Sequence, residues 1–274
     1  MIKNILFTLL ILMSMPGIAQ DGKLHKTKEK LKEKPVQTQT AGTTHTNRRA
    51  GYKEEKPFRH LVTAIAVNLT YGVLVESIFE RNTEMHYAEI ARYPYQSKKV
   101  GDFVYIQSDS TKYALSRFDI SNHFLYENTH LYGNDFTALF RFAKRFDIAV
   151  EYLQFIEKTS SGTEGIAVFS GLVNYHRVRT QKLDVWFGLG TAYVANDVHK
   201  WGLAYQVGAA YFIHKPISLE AIFKGSSVQQ ESLNQYRVSL NYHIKKLALS
   251  GGYAHFDLAG SRINTLVLGV KTFL

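Results

Sequence analysis

The chain of 274 residues has no cysteine, only five prolines and only two tryptophans. Without cysteine it has no disulfide framework, so its stability must come from backbone pairing and burial. Acidic residues are also scarce, because 33 Lys and Arg face 23 Asp and Glu and give a net charge of +10. Residues 21–57 hold ten of the basic and five of the acidic residues, so half of the excess charge belongs to one stretch near the N-terminus.

A long apolar run is missing from the N-terminus. The stretch Ile5–Met13 is too short to span a bilayer as a helix. With Lys3 before it and Gly17–Ala19 after it, the stretch has the anatomy of a secretory signal peptide, and we expect cleavage after Ala19. Because such a signal takes the chain away from nucleic acid, no nucleic-acid partner is expected despite the basic balance.

Residues 20–57 are rich in Lys, Glu, Thr and Gln and hold almost no large apolar side chain. Such a stretch cannot bury enough surface to offset the entropy lost on ordering. It is therefore predicted to be a disordered basic periplasmic linker, in which Lys23–Lys34 has the composition of a solvated helix. The predicted division is a signal peptide at 1–19, the linker at 20–57 and a β-barrel at 58–274.

The barrel prediction comes from a period of two that runs to the last residue. In the last segment, apolar residues and Thr272 occupy every second position from Leu266 to Leu274. In lipid every backbone N–H and C=O must be paired internally, and strands achieve this only in a closed ring. Ten segments repeat the pattern, near 114–127, 134–143, 146–158, 165–178, 182–194, 201–213, 217–226, 234–244, 246–258 and 262–274.

The strand count is left at 10–12. Leu61–Phe79 is almost long enough for a membrane-spanning helix, but its β-branched residues, its period of two and Asn68 favour a strand at 63–76. With a second candidate at 102–110, two more strands could join the wall. The fold class is thus an all-β, antiparallel transmembrane β-barrel.

The alternation also separates two faces of the wall. Phe136, Phe140 and Phe142 are assigned to lipid, whereas Thr137 and Arg141 are assigned to the lumen. Aromatic residues gather at strand ends, where rings at headgroup depth form belts. A soluble barrel would instead turn its apolar face inward, so the membrane interpretation is preferred.

Connections between the predicted strands alternate between tight turns and longer polar loops. Since outer-membrane barrels have short periplasmic turns, both ends of the barrel are expected in the periplasm. Residues 77–111 form a long loop for which two interpretations stay open, a cap that enters the barrel mouth and a mobile surface loop.

At this point the chain resembles small outer-membrane β-barrel proteins of Gram-negative bacteria, in particular uncharacterised barrels of flavobacteria. The resemblance covers about 61–274 and is most specific in the last strand, which ends in Phe273 and Leu274, although Thr272 replaces the usual aromatic residue. The resemblance implies an outer-membrane location and insertion by the barrel-assembly machinery. It carries over no catalytic residues.

Charged side chains are concentrated on the predicted lumen face. Either they line a polar pore or they fill a narrow lumen as ion pairs. The candidate lumen polar network consists of Arg117, Asp119, Arg141, Glu151, Asp184, Glu220, Lys224, Arg237 and His243, with His176 nearby. Ser121 and His123 share a strand face but lack an evident third group for nucleophilic catalysis, and the scattered histidines lack metal-ligand spacing.

These observations predict a structural protein or narrow channel of the cell envelope, located in the outer membrane. Two alternatives are an accessory barrel of a secretion or envelope-assembly complex and a lipid-modifying enzyme. Enzymatic activity, a catalytic site, a metal site and a cofactor are not expected. The predicted partners are outer-membrane lipids, the barrel-assembly machinery during insertion, and periplasmic or envelope proteins.

Overall fold

The computed structural model describes residues 22–32, 88–96, 101–105, 113–160 and 162–274. The predicted signal peptide, most of the predicted linker and the strand candidate 63–76 therefore lie outside the described residues. In the described part of the chain, no helix combines the length and the apolar character needed to cross a membrane.

Ten antiparallel strands form a closed barrel in which each strand pairs with its neighbours in sequence and the last strand pairs with the first. This confirms the predicted fold class and gives the lower of the predicted strand counts. The wall strands are β3 (Arg117–Tyr126), β4 (Leu131–Ala143), β5 (Phe146–Thr159), β6 (Gly162–Arg179), β7 (Leu183–Val194), β8 (Lys200–His214), β9 (Ile217–Val228), β10 (Glu231–Ile244), β11 (Leu247–Leu258) and β12 (Ser261–Phe273).

Three short elements lie inside the ring of strands. Helix α1 spans Lys23–Lys32, and the strands β1 (Ala88–Ile90) and β2 (Phe103–Tyr105) pair with each other as a separate two-stranded sheet. The strand candidate at 102–110 is therefore not part of the wall in its described portion. Three residues are too few to span the membrane, which needs about nine to eleven.

The wall has its apolar side outward, as the alternation predicts. Along β10 exposed and buried residues alternate, with Tyr236, Val238 and Leu240 exposed and Arg237 and Ser239 buried. Exposure of the outward side chains reaches 75% at Leu203. Such a surface is stable in lipid, where apolar side chains need no cover.

The predicted contrast between tight turns and long loops is wrong. Strand β5 continues to Thr159 and β6 begins at Gly162, while β9 continues to Val228 and β10 begins at Glu231. The other connections of this rim span 127–130, 195–199 and 259–260. The polar residues at these strand ends resemble loops in composition. They nevertheless continue the backbone pairing of the strands beyond the apolar band. We call this end the helix rim and the other end, with turns at 144–145, 180–182, 215–216 and 245–246, the terminal rim.

Candidate functional site

The lumen is divided into three sections along the barrel axis. Next to the terminal rim it holds β1, β2 and the residues around them, which we call the insert (residues 88–96 and 101–105). The central section is lined by charged wall residues. Next to the helix rim an apolar section receives α1.

Ion pairs cross the central section. Lys224 Nζ lies 2.7 Å from Glu151 Oε1, and Lys271 Nζ lies 3.2 Å from Glu220 Oε2. A third pair joins Arg237 Nη1 to Asp135 Oδ2 at 2.5 Å. Among these groups remains a cavity of about 80 Å³, which is room for a few water molecules. The pairing neutralises the charges that face this cavity.

The insert is held by a buried carboxylate between two buried arginines. Asp102 Oδ1 lies 2.8 Å from Arg117 Nη1, and Asp102 Oδ2 lies 2.6 Å from Arg141 Nη1. Arg117 also binds Asp119 on its own strand at 2.7 Å and donates to the carbonyl of Ala91 at 2.9 Å. Burial raises the pKa of the Asp102 carboxyl, but the two guanidinium groups lower it more, so the net pKa lies well below its ordinary value.

Further hydrogen bonds join the edges of the insert to the wall at the terminal rim. Gly101 donates its backbone N–H to Gln181 O at 3.0 Å, and the hydroxyl of Tyr105 donates to Arg179 O at 2.6 Å. The hydroxyl of Tyr95 donates to Ile217 O at 2.5 Å, and burial raises the pKa of Tyr95 to about 12. The insert thus binds the wall on several sides of the terminal mouth.

Next to the insert, His176 lies between two carboxylates. Its Nδ1 is 2.6 Å from Asp184 Oδ1 and its Nε2 is 2.6 Å from Asp147 Oδ2. Asn174 donates to the other oxygen of Asp147 at 2.6 Å. With both ring nitrogens directed at carboxylates, the ring cross-links β5, β6 and β7.

Helix α1 lies in the mouth of the barrel at the helix rim, which we call the helix mouth, and its apolar side packs against the wall. Leu24 and Leu31 are fully buried in the same cluster as the wall residues Phe155 and Phe256. Phe155 and Phe256 project from opposite parts of the ring and meet edge to face, with centroids 4.9 Å apart. Beneath the helix they form an apolar bar that separates α1 from the charged section.

The wall supplies the N-cap of α1. Glu157 Oε1 accepts from the backbone N–H groups of Gly22 and Lys23 at 3.2 and 3.1 Å, and Oε2 accepts from Leu24 at 2.8 Å. For residues 23–32 the expectation of a disordered linker is thus not met, and the helix is not solvated on all sides. Its two leucines and the cap compensate for a composition that would not order alone.

The structure places all nine residues of the predicted lumen network on the lumen side. Eight of them are buried and Glu220 is partly buried. Ion pairs join Glu151 to Lys224 and both Arg117 and Arg141 to Asp102. Sequence reasoning missed Asp135, Asp147 and Lys271, although each lies at an inward position of an alternating strand.

Ser121 and His123 also lie buried on the lumen side. Within the described residues no hydrogen bond joins them, and His123 Nδ1 has no hydrogen-bond partner. The arrangement thus lacks the contact by which a base activates a nucleophile. We assign these two residues to the packing of the central section.

No protein-family model matches the chain, and no curated protein matches it. Solved structures similar to it include an outer-membrane channel from Pseudomonas putida F1, at 9% identity and a TM-score of 0.38, with 62% of this chain and 98% of the channel covered. The NanC porin is 12% identical with a TM-score of 0.37, covering 57% and 98%. OprG from Pseudomonas aeruginosa is 11% identical with a TM-score of 0.32, covering 59% and 96%.

These similar structures are a channel, a porin and an outer-membrane protein. The register of the ten strands and the outward apolar face of this chain define its fold independently. It is a β-barrel of the outer-membrane type.

Proposed function

We propose that this barrel is a narrow outer-membrane channel for small ions that is closed at both mouths in the described state. The observation that carries the proposal is the central section, where charged residues surround a cavity of about 80 Å³. The mouths on either side of it hold α1 and the insert, which are not part of the wall. Burying many charges is costly even when they are paired. A purely structural barrel would be as stable with an apolar lumen.

Three barriers lie in series along the path. They are α1 at the helix mouth, the bar of Phe155 and Phe256, and the insert at the terminal mouth. A channel with barriers in series conducts only when all of them are open. This arrangement keeps the membrane tight while it preserves a polar path inside.

The proposal is tested by single-channel recording in planar bilayers. We expect almost no current from the full chain or from variants that remove one barrier. A combined variant, with residues 22–32 deleted, Phe256→Ala and Asp102→Asn, should show frequent openings. Each protein is first shown to be folded by a mobility difference between unboiled and boiled samples on a gel. If the folded combined variant carries no current, the barrel is structural.

We also propose that the helix rim faces outward and the terminal rim faces the periplasm. The turns of the terminal rim carry exposed lysines and no acidic residue. These lysines are Lys144, Lys182, Lys215, Lys245 and Lys246. Basic groups beside a membrane are favoured next to anionic headgroups, and both ends of the barrel wall, Arg117 and Leu274, lie at this rim.

Because the chain has no cysteine, single-cysteine variants test this orientation cleanly. Thr129→Cys at the helix rim should react with a membrane-impermeant maleimide on intact cells. Lys182→Cys at the terminal rim should react only after the outer membrane is permeabilised. Both positions are exposed and outside the strands, so neither change should affect folding. The reverse labelling pattern would invert the proposed topology.

Location in the outer membrane, insertion by the barrel-assembly machinery and a likeness to flavobacterial barrels belong to the same proposal. The outward apolar face and the closed ring of strands support the location and the insertion route. Cell fractionation with an inner-membrane marker tests the location.

A further inference from the structure

The helix mouth has the chemistry of a binding site for a basic helical peptide. Its rim carries carboxylates on separate elements, and its floor is the apolar cluster that contains Phe155 and Phe256. The carboxylates are those of Glu127, Glu157, Glu164 and Asp197. We call this arrangement the helix cup.

The first requirement of the cup is a helix N-terminus. Glu157 accepts three successive backbone N–H groups, from Gly22, Lys23 and Leu24. A carboxylate placed there satisfies groups that every helix leaves free, and it also interacts favourably with the helix dipole. This contact selects a helical end whatever the side chains are.

The second requirement is positive charge at fixed positions. Lys23 Nζ binds Glu127 at 2.9 Å, and Lys28 Nζ contacts both Glu164 and Asp197. Burial lowers the pKa of Lys28, but the two carboxylates raise it more, so this amine stays charged. Lys30 Nζ donates to the carbonyl of Ala259 at 3.0 Å. The cup therefore recognises lysines on the sides of a helix.

The third requirement is an apolar stripe on the face between those lysines. Leu24 and Leu31 enter the floor seven residues apart, and Thr27 lies fully buried between them with its hydroxyl near Leu258 O at 3.1 Å. An i, i+3, i+7 spacing places the three residues on one side of a helix. If α1 left, this floor would face water, so replacement of α1 by another helix costs less than simple opening.

We propose that the helix cup binds basic amphipathic helical peptides in trans, and that α1 is the intramolecular occupant which such a peptide displaces. The ligand class is a lysine-rich helix with leucines at i and i+7 and a small residue at i+3. This inference rests on the proposed function only in its consequence, which is that a separate molecule then supplies the barrier at the helix mouth in place of α1. Binding itself does not depend on conduction.

The test uses a fluorescein-labelled peptide with the sequence of residues 22–32 and fluorescence anisotropy in a zwitterionic detergent. A tethered segment competes at an effective concentration in the millimolar range. The full chain should therefore bind the peptide weakly. A full-length variant with Leu24→Asn and Leu31→Asn has a weakened α1, and it should bind the peptide at least tenfold more tightly.

Matched controls separate the cup from general attraction of cations. In the variant with weakened α1, adding Glu157→Gln should reduce peptide affinity about tenfold, whereas Glu231→Gln, at the same rim but away from α1, should leave it unchanged. A peptide with both leucines changed to Asn should not bind. Equal binding to the full chain and the variant, or binding of a scrambled peptide of the same composition, would overturn the inference.

The two proposals fail separately. Peptide binding without current in the combined three-barrier variant would refute the channel and retain the cup. Current in the combined variant, together with no peptide binding to the Leu24→Asn, Leu31→Asn variant, would refute the cup and retain the channel.

Discussion

Asp102→Asn is expected to undock the insert from the lumen, because each hydrogen bond between buried charged groups that it weakens contributes about 1.5–3 kcal/mol. The substitution keeps the shape of the side chain but leaves the buried guanidinium groups of Arg117 and Arg141 without the carboxylate that now lies 2.8 and 2.6 Å from them. Hydrogen exchange of peptides that cover residues 88–105 measures the effect, and protection should fall while the wall strands stay protected.

The same insert offers a matched control. Glu89 pairs with Lys144, whose side chain is half exposed. Glu89 is buried but its partner amine is reached by solvent, and solvent-screened ion pairs contribute only about 0–1 kcal/mol, so Glu89→Gln should reduce exchange protection in the insert far less than Asp102→Asn. If the two substitutions reduce protection equally, burial of the Asp102 pair is not what holds the insert.

The contribution of Asp102 to docking of the insert should be lost only when the pH falls. Because the folded pKa of Asp102 lies below its unfolded value of about 3.9, its contribution is complete above that unfolded value. The contribution is lost as the pH falls through the folded pKa. The contribution of Asp102 to docking, measured by hydrogen exchange, should therefore be constant from pH 5 to 8 and should weaken only in strong acid. A loss of this contribution near neutral pH would contradict the assignment.

Deleting Leu266–Leu274 is expected to abolish membrane assembly altogether. The deleted segment contains all eight β12 residues that pair with β3, from Leu266 opposite Tyr126 to Phe273 opposite Asp119. Without it the ring opens, and two edges with unpaired N–H and C=O groups face lipid, where each unpaired group costs several kcal/mol.

The readout is the amount of heat-modifiable protein in the outer-membrane fraction. Leu268→Ala is the control, because it shortens an exposed side chain in the same segment and keeps the backbone pairing. The control should assemble at nearly normal levels. Normal membrane levels of the truncated chain would show that the seam between β12 and β3 is not needed for closure.

The wall could be predicted from the sequence because its residues alternate between two environments, the lipid outside and the lumen inside. A period of two with apolar residues on one side, as along β10, follows directly from lipid outside and polar groups inside. The same alternation identified Arg237 and Glu151 as lumen residues. Turn positions were less predictable, because polar residues such as Glu164 and Ser226 continue the strands above the apolar band.

The contents of the lumen could not be predicted in the same way. Asp135 and Arg237 are 102 residues apart and lie on strands that are not neighbours, and which groups meet across a barrel depends on its shear. Strands of three residues, such as β1 and β2, are too short to show a period. In α1 the spacing of Leu24, Thr27 and Leu31 was a usable signal, but the surrounding lysines concealed it.

The N-cap of α1 comes from the wall, and this bears on the order in which the helix and the wall form. A ten-residue helix is marginal alone in water, and the carboxylate that binds its first N–H groups belongs to Glu157 on β5. The apolar floor that buries Leu24 and Leu31 likewise consists of residues from strands β3 to β12. Hence we expect α1 to become helical when these wall strands are in place, so that formation of the helix follows formation of the wall.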